Sequence, residues 1–209
     1  MIKAVLFDFG GVVTTSPFDA FAAYEEANNL PPGLVRDINS TNPDDNAWAK
    51  LERSDVDADG FAELFEAEAA ALGHEVDGRS ILGLVSGDVR PAMVEAIRRI
   101  KDAGYKIACL TNNFRPREGA TARPDTAAVM AMFDHVTESS LAGIRKPEPE
   151  FYRRALAAID VEAGNAVFLD DLGINLKPAR AMGMTTIKVL DETQALTDLE
   201  AILGLDLRS

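Results

Sequence analysis

The chain has 209 residues, of which 47% are hydrophobic and 26% charged, and its 21 Lys and Arg against 34 Asp and Glu give a net charge of −13. This composition is typical of a globular protein and argues against a disordered or fibrous chain. The acidic surface repels phosphate backbones and anionic lipids, so we expect no nucleic-acid partner and no membrane partner.

The cysteine content and the amino-terminal sequence indicate a cytoplasmic location. The single cysteine, Cys109, excludes an internal disulfide and a Cys-based zinc cluster, which fits a reducing compartment. The first apolar run is too short for a signal peptide and is interrupted by Asp8. No run approaches the roughly 20 apolar residues of a membrane helix. We expect a cytoplasmic monomer or homodimer.

The first predicted strand, residues 2–7, is followed by a long helical stretch. Residues 14–86 contain no convincing strand and are rich in Ala, Glu, Phe and Leu at helical spacing. The clearest helices cover residues 18–28 and 61–72, and proline, Asp and Asn residues mark the turns between them. The sequence therefore predicts a helical module inserted after the first strand.

Helices and strands alternate in the remainder of the chain. In order, we predict a helix over 91–103, a strand over 107–110, a helix over 148–159, a strand over 166–169, a helix over 175–182 and a strand over 185–189. The predicted strands are continuous apolar runs, as in parallel sheets that are covered on both faces. This alternation predicts a doubly wound parallel α/β sheet.

Polar residues follow three of the four predicted strands. Asp8 follows the first strand, Thr111 and Asn112 the second, and Asp170 and Asp171 the third. The carboxyl ends of neighbouring parallel strands share the crevice in which open α/β folds bind ligands. Carboxylates that meet there repel one another unless a cation lies between them, and a hard cation with oxygen ligands fits. The alternative is that each Asp only forms a turn or caps a helix.

Four motifs surround these residues, in the order Phe-Asp8-Phe-Gly-Gly-Val, Leu-Thr111-Asn112-Asn113, Arg-Lys146-Pro-Glu-Pro and Phe-Leu-Asp170-Asp171-Leu-Gly-Ile-Asn175. Together they resemble the haloacid-dehalogenase-like hydrolase superfamily, and most of all the branch with the amino-terminal phosphatase domain of soluble epoxide hydrolase. The resemblance covers nearly the whole chain. It implies a Rossmann-like catalytic core over residues 1–13 and 87–209 and a helical cap over 14–86.

The resemblance also implies a nucleophile and a metal site. Asp8 would attack phosphorus and form an aspartyl-phosphate, which water then hydrolyses. Mg²⁺ would be held by Asp8, the backbone carbonyl of Gly10 and Asp171, with Asp170 helping to order the ligands. The implied activity is that of a Mg²⁺-dependent phosphatase acting on a small phosphorylated metabolite.

Substrate-binding residues follow from the same resemblance. Thr111 and Asn112 would bind phosphate oxygens, and Lys146 would neutralise the charge shared by the nucleophile and the transferring group. Lys146 could instead be a solvated loop lysine. Asn175 either hydrogen-bonds within the acidic loop or simply belongs to the following helix.

The sequence departs from the family pattern at Gly10. Phosphatases of this superfamily usually carry a second Asp at this position, which protonates the leaving oxygen and is typically worth about 10²–10⁴-fold in rate. Three possibilities remain open: phosphates with good leaving groups, a substitute acid from water or the cap, or a catalytically weak domain used for binding. A 2-haloacid dehalogenase also needs no such acid, but those enzymes generally carry a bulky aromatic residue here.

A second candidate metal site lies in the helical insertion. Asp55, Asp57, Asp59, Gly60 and Glu66 satisfy the spacing of an EF-hand calcium loop, which could regulate a binding domain. The alternative is a turn followed by a helix, with Asp57 or Asp59 as its N-cap.

Overall fold

The computed structural model describes residues 1–115 and 123–208. Its strands form one parallel sheet in the order β3-β2-β1-β4-β5. In chain order the strands are β1 (Ala4–Phe7), β2 (Lys106–Thr111), β3 (His135–Glu138), β4 (Ala166–Asp170) and β5 (Thr185–Lys188). The strand order reverses direction at β1, which confirms the predicted doubly wound sheet and opens a crevice at the carboxyl end of that strand.

The prediction of four strands is wrong by one, because β3 gives no apolar signal. This strand reads His-Val-Thr-Glu, and only Thr137 is buried. It lies at the edge of the sheet and pairs with β2 alone, from Ala108 opposite His135 to Thr111 opposite Glu138. An edge strand contacts the sheet on one side only, so it does not need a continuous apolar sequence.

Five helices follow β1 and form what we call the helical layer: α1 (Phe18–Ala27), α2 (Leu34–Ser40), α3 (Ala47–Glu52), α4 (Ala58–Ala71) and α5 (Gly78–Gly83). They pack around an apolar cluster of their own, in which Phe61, Phe65 and Ile81 are completely buried. The predicted helices over 18–28 and 61–72 correspond to α1 and α4. The helical layer thus has a core separate from that of the sheet.

The segment that carries the calcium-loop motif is the start of a helix. Helix α4 begins at Ala58, so the motif positions from Asp59 to Glu66 are helical and cannot wrap around an ion. The Asp57 carboxylate accepts a hydrogen bond from the Gly60 N–H at 2.9 Å, as an N-cap does. The calcium-loop spacing therefore does not form a calcium loop here, and the interpretation as a turn and a capped helix is confirmed.

Six further helices flank the sheet: α6 (Pro91–Asp102), α7 (Pro124–Met130), α8 (Ser139–Ala142), α9 (Pro149–Ala158), α10 (Gly173–Ala181) and α11 (Glu192–Leu203). On β1, Val5 and Phe7 join an apolar cluster with α6 and α11, whereas Ala4 and Leu6 join one with α9 and α10. Because both faces of the central strand are buried, its sequence is apolar without interruption.

The helical layer connects to the sheet through two paired chain segments, which we call the neck. Thr14 and Val89 form an isolated antiparallel bridge. Two backbone hydrogen bonds continue this pairing, from Thr15 N–H to Asp88 O at 2.8 Å and from Arg90 N–H to Val13 O at 2.9 Å.

Within residues 1–115 and 123–208, no helix has the length and hydropathy of a membrane span.

Candidate functional site

The sheet brings three carboxylates together at its carboxyl edge. Asp8 follows β1 directly and Asp170 ends β4, and these two strands are paired with Phe7 opposite Leu169. Asp171 is the next residue. One carboxylate oxygen from each of the three residues lies within 4.8 Å of the others. The strand-end acids therefore meet at the predicted crevice.

Lys146 lies between two of these carboxylates. Its Nζ atom is 2.7 Å from Asp8 Oδ1 and 2.8 Å from Asp170 Oδ2, and its side chain is 1% exposed. Burial lowers the pKa of Lys146, but the Asp170 and Asp8 carboxylates outweigh burial and hold that pKa above its ordinary value. Lys146 therefore stays charged at neutral pH, and the solvated-loop alternative is wrong.

Asp170 anchors the site rather than facing the crevice. Besides Lys146, it accepts hydrogen bonds from the Leu172 N–H at 2.8 Å and from Asn175 Nδ2 at 3.1 Å to each oxygen. The Asn175 carbonyl in turn accepts a hydrogen bond from the Tyr152 hydroxyl at 2.7 Å. Asn175 thus bonds within the acidic loop, one of its two predicted positions, and Asp170 holds Lys146 in place.

The remaining negative charge favours a bound cation. Burial raises the pKa of Asp8, and Asp170 and Asp171 raise it further despite the neighbouring Lys146. Burial and Asp170 raise the pKa of Asp171 to about 6. Among the described residues, Lys146 is the one cationic side chain in ion-pair contact with these three carboxylates, whose oxygen atoms are ligands that a hard cation such as Mg²⁺ prefers. The donor set therefore fits the predicted metal.

Gly10 and Gly11 differ in whether a side chain would fit at their positions. Gly11 has φ +75°, and a Cβ atom there would overlap the Asp171 carboxylate. Gly10 is exposed, and a Cβ atom on it would meet no atom within 4 Å. Gly11 is thus required for the close approach of the turn to Asp171, whereas Gly10 leaves open space around it.

We expect the substitution Gly11→Ala to disturb both stability and metal binding. The left-handed backbone costs about 1–2 kcal/mol for a residue with a side chain, which urea unfolding measures. Displacement of Asp171 should weaken Mg²⁺ binding about 10–100-fold, the usual effect of disturbing a metal ligand's surroundings, which calorimetric titration measures. The matched control is Gly10→Ala, which should change neither quantity. Equal effects of the two substitutions would contradict this assignment.

Thr111 and Asn112 occupy the carboxyl end of β2, beside β1. Thr111 is 6% exposed, and its hydroxyl has no hydrogen-bond partner within the described residues. The Asn112 side chain instead bonds the Lys146 backbone twice, accepting from its N–H at 2.9 Å and donating to its carbonyl at 3.0 Å. Thr111 is therefore free to meet a ligand, whereas the Asn112 side chain positions Lys146.

Sequence reasoning missed two charged residues beside the site. Arg145 Nε lies 2.6 Å from Glu52 Oε2, and the two side chains are 16% and 15% exposed. Burial raises the pKa of Glu52, while Arg145 and Lys146 oppose that effect. Arg145 could have been suspected because it precedes Lys146. Glu52 carries no local signal, because it is one of several acidic residues in the helical layer.

Several curated proteins match almost the whole chain. It is 33% identical over 98% of its length to acyl-CoA dehydrogenase family member 10 of Mus musculus, and spans 19% of that protein. It is 28% identical over 99% of its length to bifunctional epoxide hydrolase 2 of Sus scrofa, and spans 40% of that protein. It is 27% identical to sesquiterpene phosphatase astK of Aspergillus oryzae, over 97% of both chains. The epoxide hydrolase match agrees with the predicted branch.

Solved structures and a family match complete the comparison. A HAD family enzyme of Bacteroides thetaiotaomicron in complex with magnesium and inorganic phosphate has TM-score 0.60 and 18% identity, over 90% of this chain and 94% of that chain. L-2-haloacid dehalogenase of Xanthobacter autotrophicus has TM-score 0.59 and 20% identity, over 98% and 84%. At these low identities, the similarity of this chain to the two structures concerns the fold alone. Residues 2–183 match the haloacid dehalogenase-like hydrolase family, and the chain therefore belongs to that family.

Proposed function

We propose that this hydrolase is a Mg²⁺-dependent phosphatase that acts on small phosphomonoesters through an aspartyl-phosphate. The observation that carries this proposal is the buried Lys146, which contacts Asp8 at 2.7 Å and Asp170 at 2.8 Å beside Asp171. A protonated lysine next to a carboxylate nucleophile stabilises the charge that a transferring phosphoryl group brings. The names of related phosphatases support the same reaction class.

The reaction needs a free oxygen on the nucleophile. Asp8 Oδ1 accepts hydrogen bonds from the Phe9 N–H at 2.6 Å and from Lys146, whereas Oδ2 has no donor within the part of the chain that the structure describes. We infer that Oδ2 attacks phosphorus and displaces the alcohol oxygen, which leaves with the electrons of the P–O bond. Water then attacks phosphorus, which releases phosphate and restores the Asp8 carboxylate.

Asp8, Asp171 and the backbone carbonyl of Gly10 would hold Mg²⁺, with Asp170 ordering the ligands. When bound, the ion offsets the repulsion between the anionic nucleophile and the anionic phosphate. The Thr111 hydroxyl would donate to a phosphate oxygen. We propose that the helical layer, within residues 14–86, is a cap over the core of residues 1–13 and 87–209 and selects the substrate.

The absence of a carboxylic acid at position 10 limits which esters are hydrolysed quickly. We expect Gly10→Asp to raise kcat for alkyl phosphates by up to about 10²–10⁴-fold, because a carboxylic acid there can protonate the leaving oxygen. Esters with good leaving groups should gain little. The open space around Gly10 accommodates the side chain. Gly10→Asn is the matched control, and an equal gain with Asn would show that proton donation is not the cause.

Phosphate release from a panel of small phosphomonoesters, with and without Mg²⁺, tests the proposal. We expect release that requires Mg²⁺ and is fastest for sugar anomeric and acyl phosphates. Halide release from 2-haloacids, measured alongside, tests the dehalogenase alternative. Ligand binding without turnover of any compound would favour a catalytically weak binding domain and would contradict the phosphatase.

A further inference from the structure

We propose that the Glu52–Arg145 ion pair holds the helical layer against the sheet and thereby positions Lys146. The pair joins the last residue of α3 to the loop that carries Lys146, with Nε and Oε2 only 2.6 Å apart. Both side chains are largely buried. The inference rests on the proposed function only in giving Lys146 a role in the reaction.

The ion pair belongs to a wider contact between the helical layer and the sheet. Arg145 Nη1 donates a hydrogen bond to the Pro43 carbonyl at 2.8 Å. Nearby, the Ser54 hydroxyl donates to the Ser140 carbonyl at 3.0 Å. Pro43, Glu52 and Ser54 flank or belong to α3, whereas Arg145 and Ser140 belong to the sheet side. The helical layer is thus tied to the sheet here as well as through the neck.

A short chain of contacts leads from the ion pair to Lys146. Arg145 and Lys146 are consecutive, so movement of one backbone moves the other. The Asn112 side chain fixes both backbone polar groups of Lys146. Glu52 therefore acts on Lys146 through Arg145.

A buried ion pair is a poor source of stability, which supports a positioning role. Desolvation of two charges roughly cancels their attraction, and replacing both partners is often neutral for stability. Removing only one partner leaves a buried charge without a counterion. We therefore expect the two residues to act as a coupled unit, in which loss of both costs no more than loss of one.

The test uses three variants of the full chain: Glu52→Gln, Arg145→Met and the double variant. In each single variant, backbone amides of residues 47–54, 144–146 and 148 should exchange hydrogen about tenfold faster, because the contact opens locally. If the wild type is an active phosphatase, kcat should fall by up to about 10²-fold with KM little changed, since a small misplacement of Lys146 costs rate. The double variant should be no worse than the worse single variant.

The matched control is Asp59→Asn, which removes an exposed ion pair with Arg79, 2.8 Å long, inside the helical layer. It should leave both exchange and kcat unchanged. The positioning role would be overturned if the single variants exchanged amide hydrogens at the wild-type rate. It would also be overturned if the loss of kcat in the double variant were the product of the losses in the two single variants. An inactive wild type would overturn the proposed function instead, and the exchange measurement would still decide whether the pair holds the layer in place.

Discussion

Replacement of Asp8 by Asn is expected to lower phosphate release by at least about 10⁴-fold, the order of loss when a hydrolase loses its covalent nucleophile. Asparagine keeps the shape of the side chain and an oxygen for the Phe9 N–H, but it cannot form the acyl-phosphate bond. The measurement is kcat on the best substrate of the panel, with saturating Mg²⁺.

The loss should occur in a folded protein. Asp8 lies near Asp170 and Asp171, and burial and these charges raise its pKa, so a neutral side chain relieves repulsion in the metal-free state. Lys146 retains Asp170 at 2.8 Å. The thermal midpoint should therefore not fall. Asp102→Asn, which removes an exposed partner of Arg98, is the control that should keep full activity. Activity retained by Asp8→Asn would contradict the nucleophile assignment.

Replacement of Lys146 by Met is expected to lower the free energy of unfolding by about 3–5 kcal/mol, because it leaves two buried carboxylates without their counterion. Methionine fills a similar volume, so the effect comes from the lost charge. The control Lys101→Met removes an exposed pair with Asp134, 3.0 Å long, and should cost no more than about 1 kcal/mol. Urea unfolding of both variants measures the difference.

The instability of Lys146→Met should depend on pH. Burial already raises the folded-state pKa of Asp8, and loss of the lysine raises that pKa further above its unfolded value, so the folded state binds protons more readily. Ionisation of the buried carboxylates then disfavours folding as pH increases. The difference in unfolding free energy between the wild type and Lys146→Met should therefore shrink as pH is lowered below neutral. A deficit that is equal at pH 5 and pH 8 would show that lost packing, rather than unpaired charge, destabilises the variant.

The candidate site at the sheet edge was predictable because its residues follow strands whose sequences are unmistakable. Continuous apolar runs place Asp8 and Asp170 at the ends of β1 and β4, and the parallel register then brings them together. Lys146 was found through its motif alone. Its contacts with both carboxylates depend on a loop that no periodicity describes.

Other features depend on tertiary contacts that leave no local pattern. The edge strand β3 lacks an apolar run because only one side of it pairs. The spacing of a calcium loop is present, yet the same residues form a capped helix because Phe61 and Phe65 must face the core of the helical layer. Glu52 gains its role from burial beside Arg145, which is distant in sequence.

Trapping of the covalent intermediate tests whether Asp8 is the nucleophile. During turnover with Mg²⁺, samples are quenched with borohydride, which reduces an aspartyl-phosphate to homoserine, and peptides are analysed by mass spectrometry. We expect homoserine at position 8 in the wild type, dependent on substrate, and none at any other aspartate. Phosphate release with Asp8 unmodified at every time point would contradict this expectation.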